Sequence, residues 1–202
     1  MKITLAKTAG FCFGVNRAVN MLYDLVSEGV NVCTLGPIIH NPQVVADLEN
    51  KGVNIIDDIN NASGSKKVVI RTHGVEQSIL KYCENNALDY IDATCPFVKK
   101  IHKIVQKNSN KDLPVLIAGD RKHPEVIGIK SYCNGDCFVF NSADELDEIF
   151  KNNSFNNEKP FLVVSQTTFS TKEWKKCVKK IKILYTNAII FDTICSATEE
   201  RQ

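Results

Sequence analysis

The chain has little that would commit it to the commoner ligand classes. Its 25 basic and 23 acidic residues leave a net charge of only +2, so neither a nucleic-acid nor a membrane partner is expected on electrostatic grounds. No apolar run comes near the roughly 20 residues needed to cross a bilayer. Lys7, Asn16 and Arg17 interrupt the first stretch, Met1 to Val19, so a secretory leader is not expected either. The sequence holds no Walker loop, no GxGxxG fingerprint and no HExxH, which removes the usual motif grounds for nucleotide or zinc-protease chemistry. Histidine is scarce, at four residues, whereas cysteine is plentiful, at eight. Without an export signal, such cysteines point to a reducing cytoplasm, where they bind metal, catalyse or pack.

With 44% apolar residues, the 202-residue chain has the composition of a soluble globular protein and can form one or two domains. Short apolar runs predict strands at Val32 to Leu35, Lys67 to Arg71, Tyr90 to Ala93, Val115 to Ala118, Phe161 to Ser165 and Ala188 to Asp192. Amphipathic stretches predict helices following Cys12, Pro42, Glu76, Cys95, Pro124, Ala143 and Thr171. Strands alternating with helices imply an α/β fold, a parallel sheet covered by flanking helices. Ligands in such folds lie off the carboxyl ends of the strands, and the chemically interesting residues of this chain all fall there.

Three of the cysteines occur in matching contexts. Asp92-Ala-Thr-Cys95 and Asp192-Thr-Ile-Cys195 share Asp-x-x-Cys after a strand-like run, and Cys12-Phe-Gly-Val15 and Cys95-Pro-Phe-Val98 share Cys-x-x-Val before a helical one. A thiolate at a helix N-terminus is stabilised by unpaired N–H groups and the positive end of the dipole. A unit that delivers a thiolate to the same place three times can gather distant cysteines around one centre, so a metal cluster is expected rather than disulfides. Three cysteine ligands in place of the usual four would leave one iron open. The plainer alternative is three buried small hydrophobes, the reading kept for Cys33, Cys83, Cys133, Cys137 and Cys177, although Cys133-Asn-Gly-Asp-Cys137 places a turn between two cysteines, a loop that could hold a metal but lacks a second pair.

The repeat is wider than the cysteines. Gly36-Pro-Ile-Ile-His40-Asn-Pro42-Gln-Val44 parallels Gly119-Asp-Arg-Lys-His123-Pro124-Glu-Val126, and Arg71-Thr-His73-Gly aligns with Ser165-Gln-Thr167-Thr168. Two modules are therefore predicted, 13–95 and 96–195, with 1–12 and 196–202 as remnants of an incomplete third. Asn41 is a candidate cap with Pro42 in the first turn. His40, His73 and His123 lie beside helix N-termini or strand ends, which suits a phosphate or diphosphate site; the alternative is ordinary surface or capping histidines. His102, among lysines on a helix, reads as solvated or packing. Glu125 is the acidic residue nearest these signals, and its repeat partner is Gln43. It can pass protons with Thr167 ordering the relay, or it can simply offset the helix dipole.

Gly10-Phe-Cys12-Phe-Gly-Val15, Gly36-Pro-Ile-Ile-His40-Asn-Pro42, Arg71-Thr-His73-Gly74-Val75, Asp92-Ala-Thr-Cys95-Pro96, His123-Pro124-Glu125-Val126, Ser165-Gln-Thr167-Thr168 and Asp192-Thr-Ile-Cys195 together resemble the 4-hydroxy-3-methylbut-2-enyl diphosphate reductase (IspH or LytB) family. The resemblance implies repeated α/β modules around a central 4Fe-4S cluster, or 3Fe-4S if the open iron is lost. It implies reductive dehydroxylation of that diphosphate to isopentenyl and dimethylallyl diphosphates, with electrons from a ferredoxin or flavodoxin. Carried over by position, Cys12, Cys95 and Cys195 would hold the cluster, and His40, His73 and His123 would contact the diphosphate. Glu125 would supply protons and Thr167 would help to place substrate and relay. The family's third module carries a Ser-x-Asn segment and a later serine that have no counterpart in these 202 residues. Weak or absent turnover by the chain alone is expected, and a non-catalytic cluster-binding fragment or a split-assembly subunit is the alternative.

Overall fold

The computed structural model describes residues 3–4, 9–62 and 66–201. Lys7, and residues 1–2, 5–8 and 202 of the expected remnants, lie outside the described residues. Contacts divide the chain into two compact units. One runs to Thr72 and resumes over Leu88–Cys95; the other takes His73–Ala87 and Pro96–Glu200.

The first unit holds a four-stranded sheet of order β2-β1-β3-β4, from β1 (Val32–Leu35), β2 (Asn54–Ile56), β3 (Lys67–Ile70) and β4 (Tyr90–Asp92). Every pairing is parallel. Helix α1 (Phe13–Ser27) packs Ala18, Val19 and Leu22 against Val32, Val69 and Ala93. Helix α2 (Pro42–Asn50) starts at a proline behind Asn41, whose Oδ1 accepts from the Val44 N–H at 3.0 Å. The expected cap forms as an N-cap should, satisfying a donor the helix cannot.

The second unit repeats the topology with β5 (Val115–Ala118), β6 (Cys137–Phe140), β7 (Phe161–Ser165) and β8 (Ala188–Ile190), in the order β6-β5-β7-β8 and again all parallel. Its inner strands are buried on both faces, as a parallel sheet between helix layers requires. Leu116, Ala118, Phe161 and Val163 join Trp174, Cys177 and Ile181 of α7 (Thr171–Leu184) and Leu146 of α6 (Ala143–Asn152). The alternate residues Val115, Ile117, Leu162 and Val164 join Ile101 and Val105 of α4 (Pro96–Asn108) and Val126 and Ile129 of α5 (Pro124–Ser131). Helix α3 (Gln77–Asn85), although it links β3 to β4, belongs to this unit, where the Gln77 N–H donates to Ser131 Oγ at 2.9 Å.

The fold class is the expected one, with two strands more than the apolar runs show. Both are sheet edges. Asn54–Ile56 has only three residues, and Cys137–Phe140 follows a turn so closely that it reads as part of a cysteine loop. An edge strand pairs on one side only, so short or weak sequence suffices there. The inner strands needed none of this help, and their apolar runs mark them directly.

Phe161 is fully buried, with the rings of Phe155 at 5.1 Å and Tyr185 at 5.3 Å. Phe161→Ala is expected to cost about 3–5 kcal/mol, measured as a lower urea midpoint. Ile189→Ala, at a residue 39% exposed, should stay within about 0.5 kcal/mol of the parent.

Candidate functional site

In the first unit Cys12 is the N-cap of α1, and its side chain makes no capping bond. Two residues on, Gly14 lies against Cys95: a Cβ built there would sit 2.5 Å from Cys95 Sγ. The half-buried Cys95 is held from both directions along the chain. Its N–H donates to Thr72 O at 2.9 Å. Before it, Asp92 Oδ1 accepts from the Thr94 N–H at 2.9 Å, the local turn that an Asp at this spacing favours. The Arg17 guanidinium donates to Ala93 O and Thr94 O at 2.9 and 2.8 Å, joining α1 to that turn. The exposed His40 stands just before the α2 cap. Thr72 donates its hydroxyl to Ile38 O at 2.9 Å, so the loop bearing His40 is tied to the end of β3.

The second unit brings together His73, His123, Glu125, Thr167 and Cys195. The half-buried imidazoles of His73 and His123 meet edge to face, with ring centroids 5.3 Å apart. His123 is itself the N-cap of α5, its Nδ1 accepting from the Glu125 N–H at 3.1 Å. That bond assigns the proton of the neutral ring to Nε2. Glu125 is 2% exposed. Its Oε1 accepts from the Thr167 N–H at 2.6 Å and its Oε2 from the Thr167 hydroxyl at 2.8 Å. Burial raises the carboxyl from the ordinary 4.5 to about 7, outweighing the lowering by both Thr167 bonds. Such a group holds and releases a proton at neutral pH. Thr167 faces both ways: its carbonyl accepts the Cys195 N–H at 2.9 Å. Cys195 caps the short helix α8 (Ser196–Glu199), and here too no side-chain capping bond forms.

Two one-residue shifts separate the modules from the alignment read in the sequence. Gly36 and Gly119 are equivalent, each N–H bonding the edge strand at 2.8 Å. Beyond them, however, the cap equivalent to His123 is Asn41, not His40. Strand register pairs Ile70 with Leu35 and Ser165 with Ala118, so the counterpart of Thr167 is Thr72, not His73. The extra residue before Asn41 was invisible to motif matching because both loops end in a proline. Gly14, Arg17 and Thr72 escaped the sequence reading, since they act through a missing side chain and through bonds to the backbone. Among the remaining residues, Cys33, Cys83 and Cys177 are buried as expected. His102 is buried and stacks on Tyr132 at 4.3 Å, a packing residue.

A glycine inside a helix normally gives way to alanine with a gain of about 0.5–1 kcal/mol. Gly14→Ala is expected to reverse that sign, because its methyl meets Cys95 Sγ at 2.5 Å. Denaturation should show a less stable protein, with part of the loss recovered in a Cys95→Ala background. A simple gain in both backgrounds would refute the contact.

A family model described as LytB protein matches residues 3–202. A 4-hydroxy-3-methylbut-2-enyl diphosphate reductase of Thermoanaerobacter sp. (strain X514) is 42% identical over 206 residues, spanning 100% of this chain and 69% of its own length. The enzyme of the same name from Clostridioides difficile (strain 630) is 39% identical, with 100% and 71% spanned. The solved structure of (E)-4-hydroxy-3-methyl-but-2-enyl diphosphate reductase, described as the terminal enzyme of the non-mevalonate pathway, superposes with a TM-score of 0.82 at 36% identity, covering 99% of this chain and 70% of that one. The Plasmodium falciparum reductase gives 0.85 at 27% identity, over 95% and 60%. Sequence and fold thus agree along the whole chain, and it belongs to the LytB family.

Proposed function

We propose that this chain serves the reaction for which its relatives are named, with weak or absent turnover by these 202 residues alone, which span 69–71% of those relatives' length. The hydroxyl of 4-hydroxy-3-methylbut-2-enyl diphosphate leaves as water on uptake of two electrons and two protons, giving isopentenyl and dimethylallyl diphosphates. The observation that carries this reading is Glu125, a buried carboxyl poised near neutrality and joined through Thr167 to the Cys195 backbone. A hydroxyl is a poor leaving group unless protonated, and a carboxyl titrating at about 7 is matched to that task. Once protonated, Glu125 donates to the Thr167 hydroxyl, which frees the hydroxyl proton to pass outward.

An iron–sulfur cluster, 4Fe-4S with one iron lacking a protein ligand, suits the donor set. Cys12 and Cys195 stand at helix N-caps with sulfurs not engaged in capping, and a glycine leaves Cys95 Sγ its space. We assign Cys12, Cys95 and Cys195 as its thiolate ligands. When bound, such a cluster supplies the electrons and a Lewis-acidic iron. The chain's own residues do the rest. His40, His73 and His123 donate to the diphosphate, His123 through Nε2–H, with the stronger bonds that an anionic acceptor allows. A ferredoxin or flavodoxin provides the electrons, and eight free cysteines fit a reducing cytoplasm.

Anaerobic reconstitution tests the reading. The chain is expected to take up iron and sulfide and to turn brown, and serine at position 12, 95 or 195 should abolish uptake. Serine at Cys83 or Cys177, both buried, serves as the control. Glu125→Gln should keep the iron and lower whatever turnover the chain sustains with a reduced donor by about 10²–10⁴-fold. Unchanged turnover removes Glu125 from the proton path.

Stability gives an independent readout. Folded Glu125 keeps its proton up to about 7, whereas the unfolded chain releases it near 4.5. The folded state therefore binds more protons in that window, and its stability falls as pH rises through it. Relative to the parent, Glu125→Gln should gain stability across the same window, by up to about 3 kcal/mol at its upper end. A flat difference between pH 4 and pH 8 contradicts the burial argument.

A further inference from the structure

A pair of thiols in the second unit, outside the proposed site, borders a cavity. Tyr132 caps α5, and Cys133 follows with its N–H bonded to Lys130 O at 3.1 Å. The turn Asn134–Gly135–Asp136 is fastened in place. The Asn134 N–H donates to Ser109 Oγ at 3.0 Å, and its amide group to Gln106 O and Ser109 O at 3.3 Å. Gly135 presses on the Asn110 backbone so closely that a Cβ would come within 2.3 Å of Asn110 O. Cys137 then opens β6 opposite Val115. Held at the two ends of this turn, both sulfurs are half-buried against the same apolar cluster, and the Cys133 thiol donates to Ile129 O at 4.0 Å.

Cys137 also lines a cavity of about 320 Å³ together with Lys130, Arg121, Ile127 and Phe138. Arg121 pairs with Glu145 at 2.9 Å, which leaves Lys130 as the cation that gives the cavity its sign. The neighbouring Cys133 thiol and Lys130 lower the Cys137 thiol against the effect of burial. The proximity of Cys137, with burial, pushes Cys133 up. Cys137, which lines the cavity beside Lys130, is the sulfur placed to meet an incoming disulfide, with Cys133 across the turn as its reserve, the pairing typical of thiols that exchange with disulfides.

We propose that Cys137 is an exchange-active thiol serving anionic low-molecular-weight disulfides, with Cys133 as its resolving partner. The Cys137 thiolate attacks one sulfur of the external disulfide, forming a mixed disulfide and expelling one thiolate. Cys133 then gives up its proton and attacks Cys137 Sγ, forming the Cys133–Cys137 bond and expelling the second thiolate. Two protein thiols are oxidised and one external disulfide is reduced to two thiols. The cavity supplies the entry point and Lys130 the attraction for carboxylates on the incoming molecule.

The reduced chain, treated anaerobically with oxidised glutathione, then alkylated and mapped by mass spectrometry, provides the test. A Cys133–Cys137 bond is the expected main product. Cys133→Ser should trap glutathione on Cys137, while Cys137→Ser should leave Cys133 largely unmodified. The neutral hydroxyethyl disulfide should react about tenfold more slowly at Cys137 than the anionic reagent, and Lys130→Ala should remove most of that difference. The unsubstituted chain alone is decisive if a serine variant fails to fold. Absence of the Cys133–Cys137 bond overturns the proposal, as does glutathione trapped first on Cys133.

Discussion

In both sheets the last parallel pairing continues for one hydrogen bond beyond the strands, and the rest of the arrangement depends on that bond. Cys95 donates its N–H to Thr72 O and Cys195 to Thr167 O, each at 2.9 Å. Neither residue lies in a strand, yet each is held by the end of the neighbouring one. The chain can then leave the sheet only by starting a helix, and both cysteines stand where α4 and α8 begin. Because all strands in a sheet run the same way, the loops after the first, third and fourth strands of each leave from one edge. Histidine, threonine and cysteine are thus delivered to the same edge within each unit without any long loop.

The two units use this scaffold differently, and one hydroxyl shows how. Thr72 donates to Ile38 O and so braces a loop. Its counterpart Thr167 donates to Glu125 instead. The residue matching Glu125 is Gln43, which is exposed, whereas Glu125 is 2% exposed. Exchange of an amide for a carboxyl, with a one-residue shorter loop, turns a structural bond into an ionisable one. The cap changes with it: Asn41 caps through an amide oxygen, while His123 caps through the Nδ1 of an imidazole.

Holding a carboxyl in that place works against the fold. A buried acid satisfied by two donors still titrates near 7, so at neutral pH the protein forgoes stability that an amide would retain. Groups that break local rules in this way are found where chemistry needs them. The dense apolar layers on both faces of the second sheet supply the stability that offsets such a group, and the Cys133 and Cys137 thiols exploit the rim of one of those layers.

Several features were legible from residue order alone because their causes are local. The inner strands are continuous apolar runs, the helix starts follow proline and Asx caps, and the cysteines repeat in matching contexts. The α/β class, the duplicated module and the candidate residues Cys12, Cys95, Cys195, His40, His73, His123, Glu125 and Thr167 follow from those signals. Other features were not legible. The edge strands β2 and β6 exist through pairing with β1 and β5 rather than through their own sequence. The equivalence of Thr72 with Thr167 is set by strand register, which a motif alignment missed by one residue. The closeness of Gly14 to Cys95 and the burial of His102 and Glu125 come from packing between segments. Residue type and short-range spacing determined which groups this protein could use. Their ionisation and partners were decided by the tertiary structure, because desolvation and hydrogen bonding depend on neighbours distant in the chain.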